Sequence, residues 1–157
     1  MKIVCGIIIL LGAALHLQPV MAQEARRFNP AGGTAAVVVV KNQVIEVKTV
    51  RSWEEKNEAI SLNVGADTSV HIEIKDYHFD GALDYSVWYW DEGKGTYTIH
   101  RIFLFSKKRA TFKEYFPDCG DEFVNLKVDE TRRRLISTYF KNNVATLCTT
   151  KPSRKIG

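Results

Sequence analysis

The sequence predicts an all-β protein, a single antiparallel β-sandwich or barrel-like domain that follows a cleaved signal peptide. About nine short segments with strand character follow one another at regular spacing, with turn residues between them. No segment shows the apolar periodicity of a helix of three turns. We therefore divide the chain into a signal peptide at 1–22, a disordered lead-in at 23–34, a β domain at 35–150 and a frayed tail at 151–157.

The N-terminal residues have the order of parts found in a secretory signal. Lys2 supplies a positive charge, an apolar run follows over residues 3–15, and Val20-Met21-Ala22 offers small residues at the usual cleavage positions. The alternative is a membrane anchor, but polar residues and a proline end the apolar run short of the ~20 residues that span a bilayer. We expect cleavage after Ala22, export from the cytoplasm, and no membrane attachment afterwards.

In the first half of the β domain, β-branched and alternating segments predict strands. Little apolar content over residues 23–34 predicts disorder before them. Residues 52–59 are ambiguous between a helical turn and a polar loop. The predicted strands, rich in valine and isoleucine, lie at 37–40, 44–50, 60–64 and 70–74.

The second half contains a strongly aromatic strand at 85–90, a glycine-bearing hairpin loop at 91–95 and a strand at 96–105. Alternation places Arg101 on the same face of that last strand as Tyr97, Ile99, Phe103 and Phe105. Three further strands are predicted at 123–128, 135–140 and 144–148.

Charge and cysteine content limit the classes of function. The chain has 22 basic and 18 acidic residues, and its basic residues are scattered apart from Arg132-Arg133-Arg134. Nucleic-acid binders concentrate positive charge on one face, so we expect no nucleic-acid partner. Cys119 and Cys148 follow the signal peptide, and an oxidising compartment favours one disulfide between them. Two free thiols, or a thiol nucleophile, are the alternatives.

The loop at 76–84 carries the most informative pattern, D-x-H-x-D-G-x-x-D. In a calcium loop of this spacing, side chains at alternate positions converge on the ion and a glycine permits the sharp turn. The candidate ligands are Asp76, His78, Asp80, Asp84 and the backbone carbonyl of Ala82. A histidine nitrogen suits a hard cation poorly. The alternative is a metal-free turn in which the aspartates accept hydrogen bonds from backbone N–H groups, and both interpretations stay open.

The segment from Ile72 to Tyr85, with the aromatic strand, the hairpin and the 97–105 strand behind it, resembles a family of bacterial periplasmic proteins. Their hallmark is D-x-N-F-D-G-x-x-D-L, and this chain departs from it at His78, where the family usually has Asn. The segment 127–137 resembles the family's later hairpin, so the resemblance extends from about Ile72 to Ser137. The family includes immunity proteins and inhibitors of lysozyme-like peptidoglycan hydrolases.

The resemblance implies a non-enzymatic periplasmic binding protein whose partner is a secreted peptidoglycan hydrolase. The sequence has no H-E-x-x-H, C-x-x-C, G-x-S-x-G or glycine-rich phosphate loop, so we expect no enzymatic activity. A pocket lined by two close carboxylates, or by a histidine and a carboxylate, would favour an enzyme instead. A calcium-stabilised structural or adhesion module is the other alternative.

An inhibitor needs a rigid scaffold and a loop that fits the cleft of its partner. Two loops have aromatic and charged residues suited to this, although both are also compatible with ordinary hairpin loops. Lysozymes are commonly basic, so acidic loops would favour encounter. The candidate contact residues are Trp90, Asp91, Glu92 and Lys94 in the first loop, and Phe116 and Asp118 in the second.

Overall fold

The computed structural model describes residues 24–91, 93 and 97–153, and the regular structure within these ranges is all β. The all-β prediction is therefore confirmed. Within the same ranges, no helix is long and apolar enough to cross a membrane. The strands are β1 Glu24–Phe28, β2 Ala35–Lys41, β3 Val44–Arg51, β4 Glu54–Ser61, β5 Val70–Lys75, β6 Asp84–Asp91, β7 Tyr97–Ser106, β8 Thr111–Tyr115, β9 Phe123–Asp129, β10 Arg134–Lys141 and β11 Val144–Thr150.

The strands form two antiparallel sheets that pack together as a sandwich. The small sheet has the order β1-β2-β3-β4, and the large sheet has the order β11-β10-β9-β7-β6-β5, with β8 also paired to β7. Short turns join most sequence neighbours. Asn142 and Asn143, for example, both have positive φ between β10 and β11, which is the backbone geometry of the tightest hairpin turns.

The main core lies between the small sheet and the β5–β8 half of the large sheet. Alternation along β2 and β3 buries every second residue, because successive side chains of a strand point to opposite faces. Tyr85 and Phe103 stack across β6 and β7 with ring centroids 4.6 Å apart. Full burial of one such aliphatic or aromatic side chain stabilises the fold by about 1.5–3 kcal/mol. The principal members are Val38, Ile45, Val47, Tyr85, Val87, Phe103 and Phe105.

A second, smaller core lies on the opposite face of the large sheet. Ile102 and Leu104 of β7 point into it, whereas Phe103 and Phe105 point into the main core. Strand β7 is therefore buried on both faces, which explains its nearly continuous apolar run from Ile102 to Phe105. The other buried residues of this second core are Tyr77, Phe123 and Leu135.

The large sheet divides along one edge of β7, and we call this place the fork. Strand β8 pairs with β7 from Ile102 to Ser106, whereas β9 pairs with it at Ile99 and His100. Arg101 lies where one partner ends and the other begins. The loop 116–122 joins the two diverging strands and forms one side of the opening.

Three sequence predictions need correction. The lead-in over 23–34 was predicted to be disordered, but Glu24–Phe28 is strand β1, which pairs with β2 over its whole length. The segment 52–59 is neither a helical turn nor a polar loop, because Glu54–Ser61 is edge strand β4 and pairs with β3 throughout. The strand predicted at 60–64 consequently ends at Ser61. Strand β8, Thr111–Tyr115, was not predicted.

The errors at β1 and β4 share a physical reason. Strands β1 and β4 lie at the edges of the small sheet and expose most of their charged residues, so backbone pairing rather than apolar content holds them. The predicted signal peptide at 1–22 and residues 154–157 of the tail lie outside the described residues.

Candidate functional site

The predicted calcium loop is a turn between β5 and β6 held by hydrogen bonds to carboxylates. Asp76 accepts the backbone N–H groups of Asp80 at 3.2 Å and Gly81 at 2.8 Å. Asp80 Oδ1 accepts the N–H of Ala82 at 2.8 Å. Gly81 has φ of +83°, a backbone conformation that residues with a Cβ adopt only under strain. The turn therefore has the geometry of the hydrogen-bonded alternative.

An ammonium group of the protein lies at this turn. Lys107 Nζ is 3.1 Å from Asp80 Oδ2 and donates to the carbonyl oxygen of Asp80 at 2.8 Å. Burial raises the pKa of Asp80, but the Ala82 N–H and Lys107 outweigh it and hold this pKa below its usual value. Among residues 24–91, 93 and 97–153, no group of three or more His, Cys, Asp or Glu side chains is placed to hold a metal ion. Calcium binding by the chain stays a prediction.

Asp84 connects the turn to the centre of the large sheet. Its side chain is fully buried, Oδ1 accepts the N–H of Phe105 at 2.8 Å, and Oδ2 accepts the N–H of His78 at 2.9 Å. Burial raises the pKa of Asp84 to about 7, although the two N–H donors act in the opposite direction. All six carboxylate oxygens of the three aspartates therefore have a donor from the protein.

His78 anchors the segment that follows β11. Its ring is buried, and Nε2 makes a hydrogen bond to the carbonyl oxygen of Ser153. A carbonyl only accepts, so the ring must carry a hydrogen on Nε2. Nδ1 lies 3.7 Å from Asp80 Oδ2, too far for a hydrogen bond, and has no hydrogen-bond partner among the described residues. Nε2 of this predicted calcium ligand therefore makes its hydrogen bond to the C-terminal segment.

We compare two concavities formed by the described residues as candidate ligand sites. The larger, of about 890 Å³, lies beside the aspartate turn, and the charges along it are largely paired, as in the 2.8 Å contact of Lys75 Nζ with Glu130. The second, of about 510 Å³, lies at the fork and is lined by both aromatic and charged side chains. We call the second one the fork cleft. Tyr89 and Phe116 contribute aromatic surface to it, and it is the candidate functional site.

A fixed ion pair forms one wall of the fork cleft. Arg101 donates Nε and Nη2 to the two carboxylate oxygens of Glu114 at 2.6 and 2.8 Å, and Nη1 to the carbonyl oxygen of Ser61 at 2.9 Å. Hydrogen bonding to Glu114 raises the pKa of Arg101. A bidentate pair of this kind fixes both side chains. The wall is therefore rigid, and the hydrogen bonds that Arg101 makes to carboxylate oxygens both go to Glu114.

Two more carboxylates line the fork cleft, those of Asp121 and Glu122. Neither takes part in an ion pair within the described part of the chain. Burial raises the pKa of Glu122, and the negative charges of Asp121, Asp91 and Glu114 also raise it, against the opposing effect of Arg101. Since Arg101 is matched by Glu114, the lining keeps two unmatched negative charges in a chain whose overall net charge is +4.

The contact residues predicted from the sequence separate in space. Phe116 lines the fork cleft and is 58% exposed, and the charge of Asp91 acts on Glu122 there. Trp90, 46% exposed, points to the opposite face of β6 from Tyr89 because side chains alternate along a strand. Asp118 lies in the same loop as Phe116. Glu92 and Lys94 lie outside the described residues.

The predicted disulfide between Cys119 and Cys148 is confirmed. It attaches the loop 116–122 to β11, and the N–H of Asp118 adds a hydrogen bond of 2.9 Å to Thr150 Oγ1. The side of the cleft that carries Phe116 is therefore held in place by a covalent link.

Most of the cleft was not anticipated from the sequence. Tyr89, Glu114, Asp121 and Glu122 were not singled out, although one signal was present. Arg101 shares a strand face with four apolar or aromatic residues, and a charge on such a face requires a partner. The partner, Glu114, lies in the strand that was missed.

The fold and the site together define a disulfide-bonded antiparallel β-sandwich protein with an acidic, aromatic-lined cleft at the fork of its large sheet. No protein-family model, curated protein or solved structure matches the chain.

Proposed function

We propose that the protein is a non-enzymatic binding protein of the periplasm, an inhibitor or immunity protein that neutralises a lysozyme-like peptidoglycan hydrolase. The observation that carries the proposal is the fork cleft, with its unmatched negative charge and its exposed aromatic ring on a fixed loop. The resemblance of residues 72–137 to periplasmic immunity proteins and lysozyme inhibitors, and the secretory signal predicted at 1–22, support it.

The cleft has the properties of a protein-binding surface. Phe116 presents an exposed aromatic ring at its rim, and buried aromatic anchors contribute much of the free energy of protein association. The negative charge of Asp121 and Glu122 would attract a basic hydrolase and speed encounter. Because the disulfide of Cys119 already fixes the loop, binding would cost little conformational entropy.

Binding and inhibition assays with the chain from Gln23 onward test the proposal. We expect saturable inhibition of at least one lysozyme-like hydrolase in a panel that includes those encoded beside the gene. Phe116→Ala should weaken inhibition about tenfold or more, the usual loss for a central aromatic contact. The absence of binding and of inhibition across the panel would refute the proposal.

Trp53→Ala is the matched control for this assay. Trp53 is 99% exposed in the turn between β3 and β4. The neighbouring Arg51 donates to the carbonyl oxygen of Lys107 at 2.7 Å, which places this turn beyond the end of β7 that is remote from the fork. Removal of this equally aromatic side chain should leave inhibition unchanged. An equal loss in Trp53→Ala and Phe116→Ala would mean that the cleft is not the contact.

One observation favours a second candidate, an acid–base enzyme of the cell envelope. His100 lines the same cleft as Glu122, burial lowers the pKa of His100 to about 4, and burial raises that of Glu122. His100 Nδ1 has no hydrogen-bond partner among the described residues, so no carboxylate orients the ring through that nitrogen. Release of soluble fragments from purified peptidoglycan, abolished in His100→Phe, would support this candidate over the inhibitor.

A further inference from the structure

We propose that the fork cleft receives a cationic side chain, an arginine or lysine on the surface of the partner protein. The inference rests on the proposed function and names the chemistry that the cleft recognises. Contact would then run in both directions. The loop 116–122 would contact the partner, and a basic side chain of the partner would enter the fork cleft.

The first argument is the charge along the cleft. Asp121 and Glu122 are acidic and have no ion-pair partner within the described residues, and Asp91 adds a third negative charge near Glu122. The guanidinium group in the lining is that of Arg101, which already makes three hydrogen bonds, two of them to Glu114. A cationic group supplied by a partner would therefore neutralise the negative charge of the cleft.

The second argument is the aromatic lining. Tyr115 and Phe123 stack with their ring centroids 6.2 Å apart, and both line the cleft together with Tyr89 and Phe116. A guanidinium or ammonium group over an aromatic face gains cation–π attraction, and the apolar stem of the same side chain packs against the neighbouring rings. Carboxylates beside aromatic rings thus match both the charged head and the apolar stem of arginine or lysine.

The third argument is the size and rigidity of the cleft. Its volume of about 510 Å³ is sufficient for one long side chain and its backbone. One wall is held by the Arg101–Glu114 pair and another by the disulfide of Cys119. A site that is already formed loses little conformational entropy when it is filled.

N-acetyl-arginine amide and its uncharged isostere N-acetyl-citrulline amide are suitable probes. We expect saturable NMR chemical-shift changes in residues 114–123 with the arginine compound, at a Kd of about 1 mM as is usual for so small a ligand. The citrulline compound should give no saturable change, because it has the same shape without the charge. Added salt should weaken the arginine response, because its ions screen the attraction between the cleft carboxylates and the guanidinium group.

Glu122→Gln tests the site, and Glu130→Gln is its control. Glu130 is an exposed acid in the other concavity, paired with Lys75. Glu122→Gln should weaken arginine binding about tenfold, a typical loss for a charge-assisted hydrogen bond. The control should not change it. Glu122 is at the surface, and an unchanged amide spectrum elsewhere will verify that the variant is folded.

Three results would overturn the inference: equal binding of arginine and citrulline compounds, no saturable change with either, or unchanged binding in Glu122→Gln. These results are separable from the hydrolase assay. Inhibition of a hydrolase without any response to the arginine compound would refute recognition of a cationic side chain, but the proposed inhibitor function would stand. An arginine response without any hydrolase partner would reject the proposed function.

Discussion

Replacement of Asp84 by asparagine should destabilise the protein strongly at pH 5 and only slightly at pH 8. The buried carboxylate accepts one backbone N–H on each oxygen, from Phe105 and from His78. An asparagine offers one oxygen and one NH₂ group, so one of the two N–H donors would face another donor. A buried donor without a partner costs about 1–3 kcal/mol.

The aspartate of the wild type also lowers the free energy of unfolding, by an amount that depends on pH. Burial raises the pKa of Asp84 from 3.8 to about 7, so the folded state keeps a proton that the unfolded state has lost. The stability of the wild type therefore falls as the pH rises from 3.8 to about 7, by at most about 4 kcal/mol at 1.36 kcal/mol for each tenfold change. Asparagine does not titrate and avoids this loss.

The two effects give a destabilisation of about 2–3 kcal/mol for Asp84→Asn at pH 5, which shrinks by up to about 3 kcal/mol and is close to zero at pH 8. Urea unfolding followed by tryptophan fluorescence at both pH values measures it. Other titrating groups are the same in both proteins and cancel in the difference. Val87→Ala, also buried but not ionisable, should cost about 2 kcal/mol at both pH values. A pH-independent difference for Asp84→Asn, or one that grows with pH, would show that the two N–H donors outweigh burial.

Three further predictions concern the cleft and its supports. Burial lowers the pKa of His100 to about 4, so stability is lost as the pH falls from 6.5 to about 4, and His100→Phe should remove up to about 3 kcal/mol of this dependence in urea unfolding. Reduction of Cys119–Cys148, whose positions are 29 apart, should cost about 3–4 kcal/mol by the chain-entropy estimate, with serine variants giving the same loss without reductant. Arg101→Met should cost about 2–3 kcal/mol because it leaves Glu114 half-buried without its cation, whereas an unchanged denaturation midpoint would show that water replaces the pair.

The sequence predicts the parts of the fold that depend on apolar alternation. The strands with β-branched or aromatic residues on alternate positions were found within a few residues, and the disulfide followed from the two cysteines, Cys119 and Cys148, that lie after the predicted signal peptide. Strand β4, with the sequence EEKNEAIS, was missed because its side chains are mostly polar or charged and its position at the sheet edge depends on pairing with β3. Backbone pairing between distant segments leaves little local pattern for a sequence to show.

The fork cleft could not be predicted from the sequence, for a related reason. Arg101, Glu114 and Glu122 lie on three different strands or loops, and only the divergence of β8 and β9 from β7 brings them to one opening. The aspartate turn, by contrast, lies within nine consecutive residues at 76–84 and was predicted as a turn. The sequence does not decide the chemistry of this turn, because the same aspartate spacing serves a bound cation and a set of backbone N–H donors equally well.

Lys107 offers a way to decide between these two interpretations of the turn. Its ammonium group makes the 3.1 Å contact with Asp80 Oδ2, one of the candidate calcium ligands, and Lys107 is 27 positions further along the chain. We expect 1 mM calcium to leave the melting temperature of the wild type unchanged, because a second cation would have to displace the ammonium group. Lys107→Gln removes that competitor, so calcium should then raise the melting temperature in proportion to RT ln(1 + [L]/Kd), and a chelator should reverse the effect. Lys108→Gln, the neighbouring lysine, is the control and should behave as the wild type. A chelator-sensitive calcium shift in the wild type would show that the loop binds the ion despite Lys107, and no shift in Lys107→Gln would show that the hydrogen-bonded turn has no affinity for it.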